Sequence, residues 1–209
     1  MAGAVRGGLV LAALAVAAAL PAPAHAAGVL KQGVQLPAES FDFVSWDPVL
    51  KQTPNRGSRR WGTRKLIDTT ELVLRAYHDA HPDAPRVLVG DLSRRHGGFF
   101  GRRYGGLGHA SHQTGLDVDV YYPRLDGLER AARRPDQVDR LAAQELVDRF
   151  VAFGAIKVYV GPNVRLSGRE RSGDEASGRG NGVVTPLRYH DDHLHVRLSA
   201  RRVNRPVAG

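Results

Sequence analysis

The sequence predicts an α+β fold, a mostly antiparallel sheet flanked by helices. Three observations predict it. Two stretches carry apolar residues at three- and four-residue spacing, the mark of amphipathic helices. Four short runs have the apolar content or the two-residue alternation of strands. The order of these elements lacks the strict strand–helix–strand alternation from which parallel sheets are built. No internal repeat is present.

The chain is expected to open with a leader. Arg6 gives a positive start, Leu9 to Leu20 is an unbroken run of Leu, Val and Ala, and Pro21 and Pro23 end any helix. Ala24-His25-Ala26 is a small-x-small cleavage signal, and the apolar run is too short to span a bilayer. Residues 1–26 are thus expected to be a secretory signal peptide, cut after Ala26, with the mature protein exported to the periplasm or cell wall and not inserted in the membrane. Residues 27–54 follow as an N-terminal arm, extended over the surface from Ala27 to Ser40. Phe41 to Val44 with Trp46 then form an aromatic cluster that packs on the core, and Gln52 to Ser58 reads as a loop from its Pro, Asn and Gly.

The main domain is expected over residues 55–199. A helix spans Thr63 to His81, with Leu66, Ile67, Thr70, Val73, Leu74 and Tyr77 on its apolar face, and Pro82 stops it. Arg86 to Leu92 reads as a buried strand. Ser93 to Gly108 is a loop with six glycines, four arginines and three aromatic residues. Asp117 to Tyr122 alternates acidic and apolar residues, as a half-buried strand does. Asp136 is placed to cap a second helix whose buried side holds Val138, Leu141, Ala142, Leu146, Val147, Phe150 and Val151. Glu145 and Arg149 form an i,i+4 pair, and Gly154 suits the helix end. Ala155 to Val160 is another strand, Ser167 to Gly182 a polar Gly- and Ser-rich loop, and His193 to Leu198 the last strand. Residues 200–209 form a tail.

Composition narrows the chemistry. The chain has no cysteine, which removes thiolate metal sites and cysteine nucleophiles. Its net charge is +9, of which the leader supplies only Arg6, so the exported part favours anionic partners. After export, an anionic wall polymer is the partner most available.

Five histidines fall in two short segments, Gly108 to Asp119 (GHASHQTGLDVD) and His190 to His195 (HDDHLH). Side chains alternate across a strand, so Asp117 and Asp119 share one face, as do His193 and His195. If the two strands are neighbours, two imidazoles and two carboxylates converge. His112 arrives from the preceding loop, with Gly115 available for the turn. Two nitrogens and one carboxylate oxygen are a common ligand set for catalytic zinc, leaving a position for water. A solvated polar face and a structural zinc site are the alternatives. The first requires chance clustering in two distant segments, and the second favours four ligands, often cysteine.

These two segments closely resemble the penicillin-insensitive murein endopeptidases, within the lysostaphin, D-Ala-D-Ala and hedgehog-type zinc proteins. His112 and Asp119 have the H-x6-D separation of that group, and His193-Leu194-His195 its H-x-H pattern. The likeness extends loosely to Arg59-Arg60-Trp61-Gly62, Gly90-Asp91-Leu92 and Arg95 to Phe100. The resemblance implies a hedgehog/DD-peptidase-like fold and one zinc per chain held by His112, Asp119 and His195, with no other cofactor. It implies that His193 is the catalytic histidine, that His190 and His109 are further active-site histidines, and that Asp117 is a supporting carboxylate rather than a ligand. The implied substrate is the peptide cross-link of peptidoglycan. Relatives carry cysteines and this chain does not, which bears on stability and not on the motifs.

Three other readings compete. A D-Ala-D-Ala dipeptidase or carboxypeptidase of the same fold is expected to carry a glutamate just before the last histidine ligand, and Asp192-His193-Leu194-His195 has none. A non-catalytic, zinc-holding wall binder has no use for His193. Nucleic-acid binding by the arginine- and aromatic-rich stretch Arg94 to Tyr104 conflicts with the export signal. That stretch is expected instead to border the cleft, with Arg102, Arg103, Phe99 and Phe100 meeting substrate.

Overall fold

The computed structural model describes residues 30–104, 111–166 and 182–200. In chain order its elements are β1 (Val34–Gln35), β2 (Phe43–Ser45), β3 (Trp61–Gly62), α1 (Arg64–Ala80), β4 (Val87–Val89), β5 (Asp117–Tyr121), α2 (Arg140–Ala152), β6 (Ala155–Val160), β7 (Val184–Pro186) and β8 (His193–Leu198). The expected leader, most of the Ser167 to Gly182 loop and the tail lie outside the described residues. No described helix is long and apolar enough to cross a membrane.

α1 forms where its pattern predicts. The Thr63 hydroxyl accepts from the Leu66 amide at 3.2 Å, which satisfies one of the helix's orphan donors. The residues it buries are the six that the spacing selects. At its far end the His81 amide caps on Tyr77 and His78 carbonyls, and the His81 ring Nε2 lies 2.6 Å from Glu145 Oε2 of α2.

α2 differs at its start. Its cap is Asp139, which accepts from the Leu141 and Ala142 amides at 3.1 Å each, and not Asp136. Pro135 begins a single 3-10 turn that holds Asp136, and the chain then turns extended at Val138 before the helix opens. Starting three residues later, the helix points Leu141 outward, 87% exposed, and buries Ala143, Leu146, Val147 and Phe150. Further along, Arg149 donates to Glu145 as the spacing predicts.

Six strands form one sheet in the order β2-β4-β5-β8-β6-β7, with β1 and β3 pairing separately. Its centre is antiparallel and its two outer pairings, β2 with β4 and β6 with β7, are parallel. α1, α2 and the sheet share one core in which Leu74, Val118, Val120, Leu146, Leu194 and Val196 are wholly buried. Each such aliphatic side chain contributes about 1.5–3 kcal/mol relative to exposure.

β5 is buried along its whole length and not half-buried, because its polar face is covered as well. His112 lies over that face, 3.3 Å from Asp119, with the buried Phe100 ring against it, while Leu36 packs in the main core. The N-terminal segment therefore enters the core at Leu36 instead of running wholly over the surface. Phe43, Val44 and Trp46 are buried as expected, while Phe41 is exposed. Close approach of β4 to β5 needs Gly90: a Cβ there would stand 2.8 Å from the Tyr121 ring and 3.1 Å from Asp119 Cβ.

Candidate metal centre

The register of the two central strands assembles the site. β5 and β8 run antiparallel with Asp117 opposite Arg197, Asp119 opposite His195 and Tyr121 opposite His193. Odd-numbered side chains share one face, so the alternation that buries Val118, Val120, Leu194 and Val196 in the core presents two acids, two histidines and Arg197 on the other side. His112 reaches them from a 3-10 turn that ends at Gly115, whose φ of 70° is left-handed. A Cβ at Gly115 would stand 2.9 Å from Leu30 and 3.2 Å from the Thr63 amide nitrogen, so only glycine fits that turn.

His112, Asp119 and His195 are all buried, and each offers a donor atom within 4.8 Å of the other two. Asp119 Oδ1 lies 3.3 Å from His112 Nε2 and 3.0 Å from His195 Nδ1. Donors around a tetrahedral ion at ~2.0–2.1 Å stand about 3.3 Å apart, so the two separations from Asp119 suit an ion of zinc's size.

Each donor is held by a further group. His112 Nδ1 lies 2.5 Å from the Leu92 carbonyl, which can only accept, so Nδ1 carries a proton and Nε2 is the nitrogen that faces Asp119. His195 Nε2 lies 2.9 Å from Asp117 Oδ1, leaving Nδ1 on the side of Asp119. Asp117 in turn takes the Arg197 guanidinium through Nε at 2.8 Å and Nη2 at 3.2 Å. This is the carboxylate–histidine arrangement that orients metal ligands, and it places Asp117 behind the donor set, not in it. The Asp119 backbone is clamped on both sides: its amide donates to the Asp91 carbonyl and its carbonyl accepts from Gly90.

Charge settles the acids in their ionised form. Burial alone raises the Asp119 carboxyl, but the charges of His112 and His193 and hydrogen bonds from His112 and His195 hold it well below the usual range. Asp117 follows the same balance, lowered by His195 and Arg197 against burial. Burial pulls His195 down, and its hydrogen bonds to Asp117 and Asp119 lift it further, to about 9. The donor types, their spacing and their supporting bonds all fit a divalent ion.

His193 stands beside this set. Its Nδ1 lies 2.6 Å from Asp192 Oδ1 and its Nε2 3.8 Å from Asp119 Oδ1. Burial lowers its pKa, and the Asp119 charge and the Asp192 hydrogen bond more than reverse that. His190 packs on His193 with ring centroids 4.9 Å apart, and burial keeps its pKa below the ordinary histidine value. Tyr159 packs on both His190 and His195. Of the other expected site residues, His109 lies outside the described residues. Phe100 is wholly buried between Arg59, Tyr104 and His112, so it cannot line a groove, whereas Phe99 is exposed.

Sequence reasoning missed several residues. Asp192 adjoins a recognised histidine and its role is visible only in the hydrogen bond. Ser111 Oγ lies 3.1 Å from His195 Nε2. Beneath the centre, the wholly buried Arg59 guanidinium pairs with Asp91 through Nε at 2.6 Å and a second contact, and Asn55 Nδ2 donates to the same carboxylate at 3.0 Å. This pair fixes the Gly90–Leu92 stretch, whose backbone holds both Asp119 and His112.

A family model described as penicillin-insensitive murein endopeptidase matches residues 23–157, a stretch that includes His112 and Asp119 and stops before β8. The penicillin-insensitive murein endopeptidase of Salmonella arizonae is 32% identical over 198 residues, covering 86% of this chain and 68% of that protein. That of Salmonella heidelberg is 28% identical over 185 residues, covering 75% of this chain and 62% of its own length. That of Pectobacterium atrosepticum is 30% identical over 129 residues, 54% of this chain and 43% of that protein. The chain thus spans about three fifths of the Salmonella heidelberg relative.

Proposed function

The chain belongs to the penicillin-insensitive murein endopeptidase family, and on that premise we propose that it is an exported, zinc-dependent endopeptidase that hydrolyses amide bonds in the peptide cross-links of peptidoglycan. The observation that carries this reading is the convergence of His112, Asp119 and His195, with His193 alongside and free of the donor set. Zinc held by these three residues supplies a Lewis acid and a water acidified toward neutral pH.

The chain's own residues do the rest. Asp192 accepts the Nδ1 proton of His193, which leaves Nε2 as the base facing the reacting side. From there it takes a proton from the attacking water and returns it to the leaving amine, the ordinary work of a general acid–base histidine. His190, its Nδ1 donating to the Arg188 carbonyl at 2.9 Å, turns its other nitrogen outward as a second polar contact for the substrate amide. The core packed behind β5 and β8 keeps these groups in one register.

Incubating the protein with purified cross-linked muropeptide dimers, with and without chelator, tests the reading. Monomers identified by mass, absent after chelation and restored by zinc, are expected. Metal analysis should find one zinc per chain, lost in His195→Ala. Intact dimers in the untreated sample, or undiminished zinc in His195→Ala, would each remove part of the assignment.

A further inference from the structure

Asp192 has a second face. Beyond it lies a cleft of about 710 Å³ whose walls include Trp46, Lys51, Arg130, Arg133, Tyr189 and Asp192. Its acidic members are already engaged. Asp192 holds His193, and Asp191 takes the Asn163 amide at 3.1 Å and Asn163 Nδ2 at 2.7 Å. Its basic members are not. Lys51, Arg130 and Arg133 are exposed, and none forms an ion pair among the described residues. Arg130 reaches Asp126 only through its field, and that carboxylate is bound by Arg124.

Backbone strain marks the same cleft. Three described non-glycine residues have left-handed backbones, and two of them, Lys51 (φ 56°) and Tyr189 (φ 69°), line it. An L-residue in that region costs about 1–2 kcal/mol, and such residues persist where a side chain must point in one direction. Packing gives no return at Tyr189, whose side chain is among the most exposed of the large apolar ones at 91%. The cleft is also continuous with the catalytic side: Trp46 packs on Tyr121, and Tyr121 on His193 at 5.5 Å between centroids. A peptide laid across His193 has this cleft as its next surface.

We propose that the cleft is a carboxylate-binding subsite, in which Lys51, Arg130 and Arg133 hold a free carboxylate of the peptide substrate beside the scissile amide and Tyr189 covers the chain that carries it. The proposal rests on the endopeptidase reading and adds the charge of the substrate to it. Ionised carboxylates bind guanidinium groups with strong, directional hydrogen bonds.

The test compares cross-linked muropeptide dimers with the same dimers after amidation of their free carboxylates, using zinc-loaded wild type and Arg130→Gln/Arg133→Gln. Wild type should show a KM about tenfold lower for the acid form, the size of one charge-assisted contact. The double variant should lose that preference: its KM for the acid form rises about tenfold, and its KM for the amidated form, zinc content and Tm stay put. Equal KM values for the two forms in wild type would overturn the proposal. So would a variant that binds insoluble wall more weakly but cleaves the soluble acid dimer normally, since that describes a general polyanion surface. If wild type cleaves neither form, the endopeptidase reading falls and the subsite falls with it. Cleavage of both with no charge preference removes the subsite alone.

Discussion

The floor of the site and its rim are built in opposite ways. On the floor, every donor has a second partner: Leu92 for His112, Asp117 for His195, the Gly90 and Asp91 backbone for Asp119. Those groups are buried, and Arg59 with Asp91 locks the stretch beneath them. On the rim, Lys51, Arg130 and Arg133 have no ionic partner among the described residues, Tyr189 stands in solvent, and two backbones are left-handed. The floor is complete before a ligand arrives, whereas the rim's polar groups are satisfied by solvent until one does. Chemistry that needs fixed distances sits on paired strands, and recognition sits on the turns around them.

Substitutions should separate the two regions by what they disturb. The largest effect is expected at the border, at His193. His193→Ala should lower kcat by about 10²–10⁴-fold and retain its zinc, because the residue is not needed to complete the donor set. A variant with near-normal turnover, or without metal, would place His193 in a different role. Next comes the floor's support. Asp91→Ala leaves the Arg59 guanidinium buried without its counter-charge, a loss of about 3–5 kcal/mol, or roughly 10 °C in Tm for a chain of this length. On the rim, Arg130→Ala should move Tm by less than about 2 °C. Calorimetric unfolding of both variants checks this. Equal shifts would erase the distinction between floor and rim.

What the sequence reveals follows the same division. α1 was legible because its period, its Thr63 cap and Pro82 agree, and the strand alternation in β5 and β8 placed the right side chains on one face. The register between those strands was not legible, since it depends on packing between residues far apart in the chain. β1, β3 and β7 have only two or three residues each, too few to show a period. At α2 the expected cap, Asp136, is drawn into the 3-10 turn begun by Pro135, and Asp139 caps the helix instead. The Leu92 carbonyl has no residue-type signature at all. Neither do the left-handed backbones of Lys51 and Tyr189, because nothing in those side chains favours that conformation as glycine or asparagine does. Asp192 has no sequence signature for its role, because only the folded turn brings its carboxylate to His193 Nδ1.

The smallest expected effect is the one that probes the rim most sharply. If Tyr189 is held left-handed for the sake of its ring, the strain and the ring can be removed separately. Tyr189→Ala keeps the strained backbone and deletes the ring. Tyr189→Gly deletes both, since glycine adopts the left-handed region freely, although its looser unfolded state offsets part of the gain. Stability should therefore be unchanged in the alanine variant and equal or higher by up to about 1 kcal/mol in the glycine variant. Both should raise KM for the acid dimer by a similar factor, about threefold, the share of one partly exposed aromatic contact. Chemical unfolding together with steady-state kinetics on the two variants reads out both terms. A glycine variant less stable than wild type would mean that the ring supports the fold. Unchanged KM in both would mean that the strained turn serves only to aim His190, whose Nδ1 meets the Arg188 carbonyl across Tyr189.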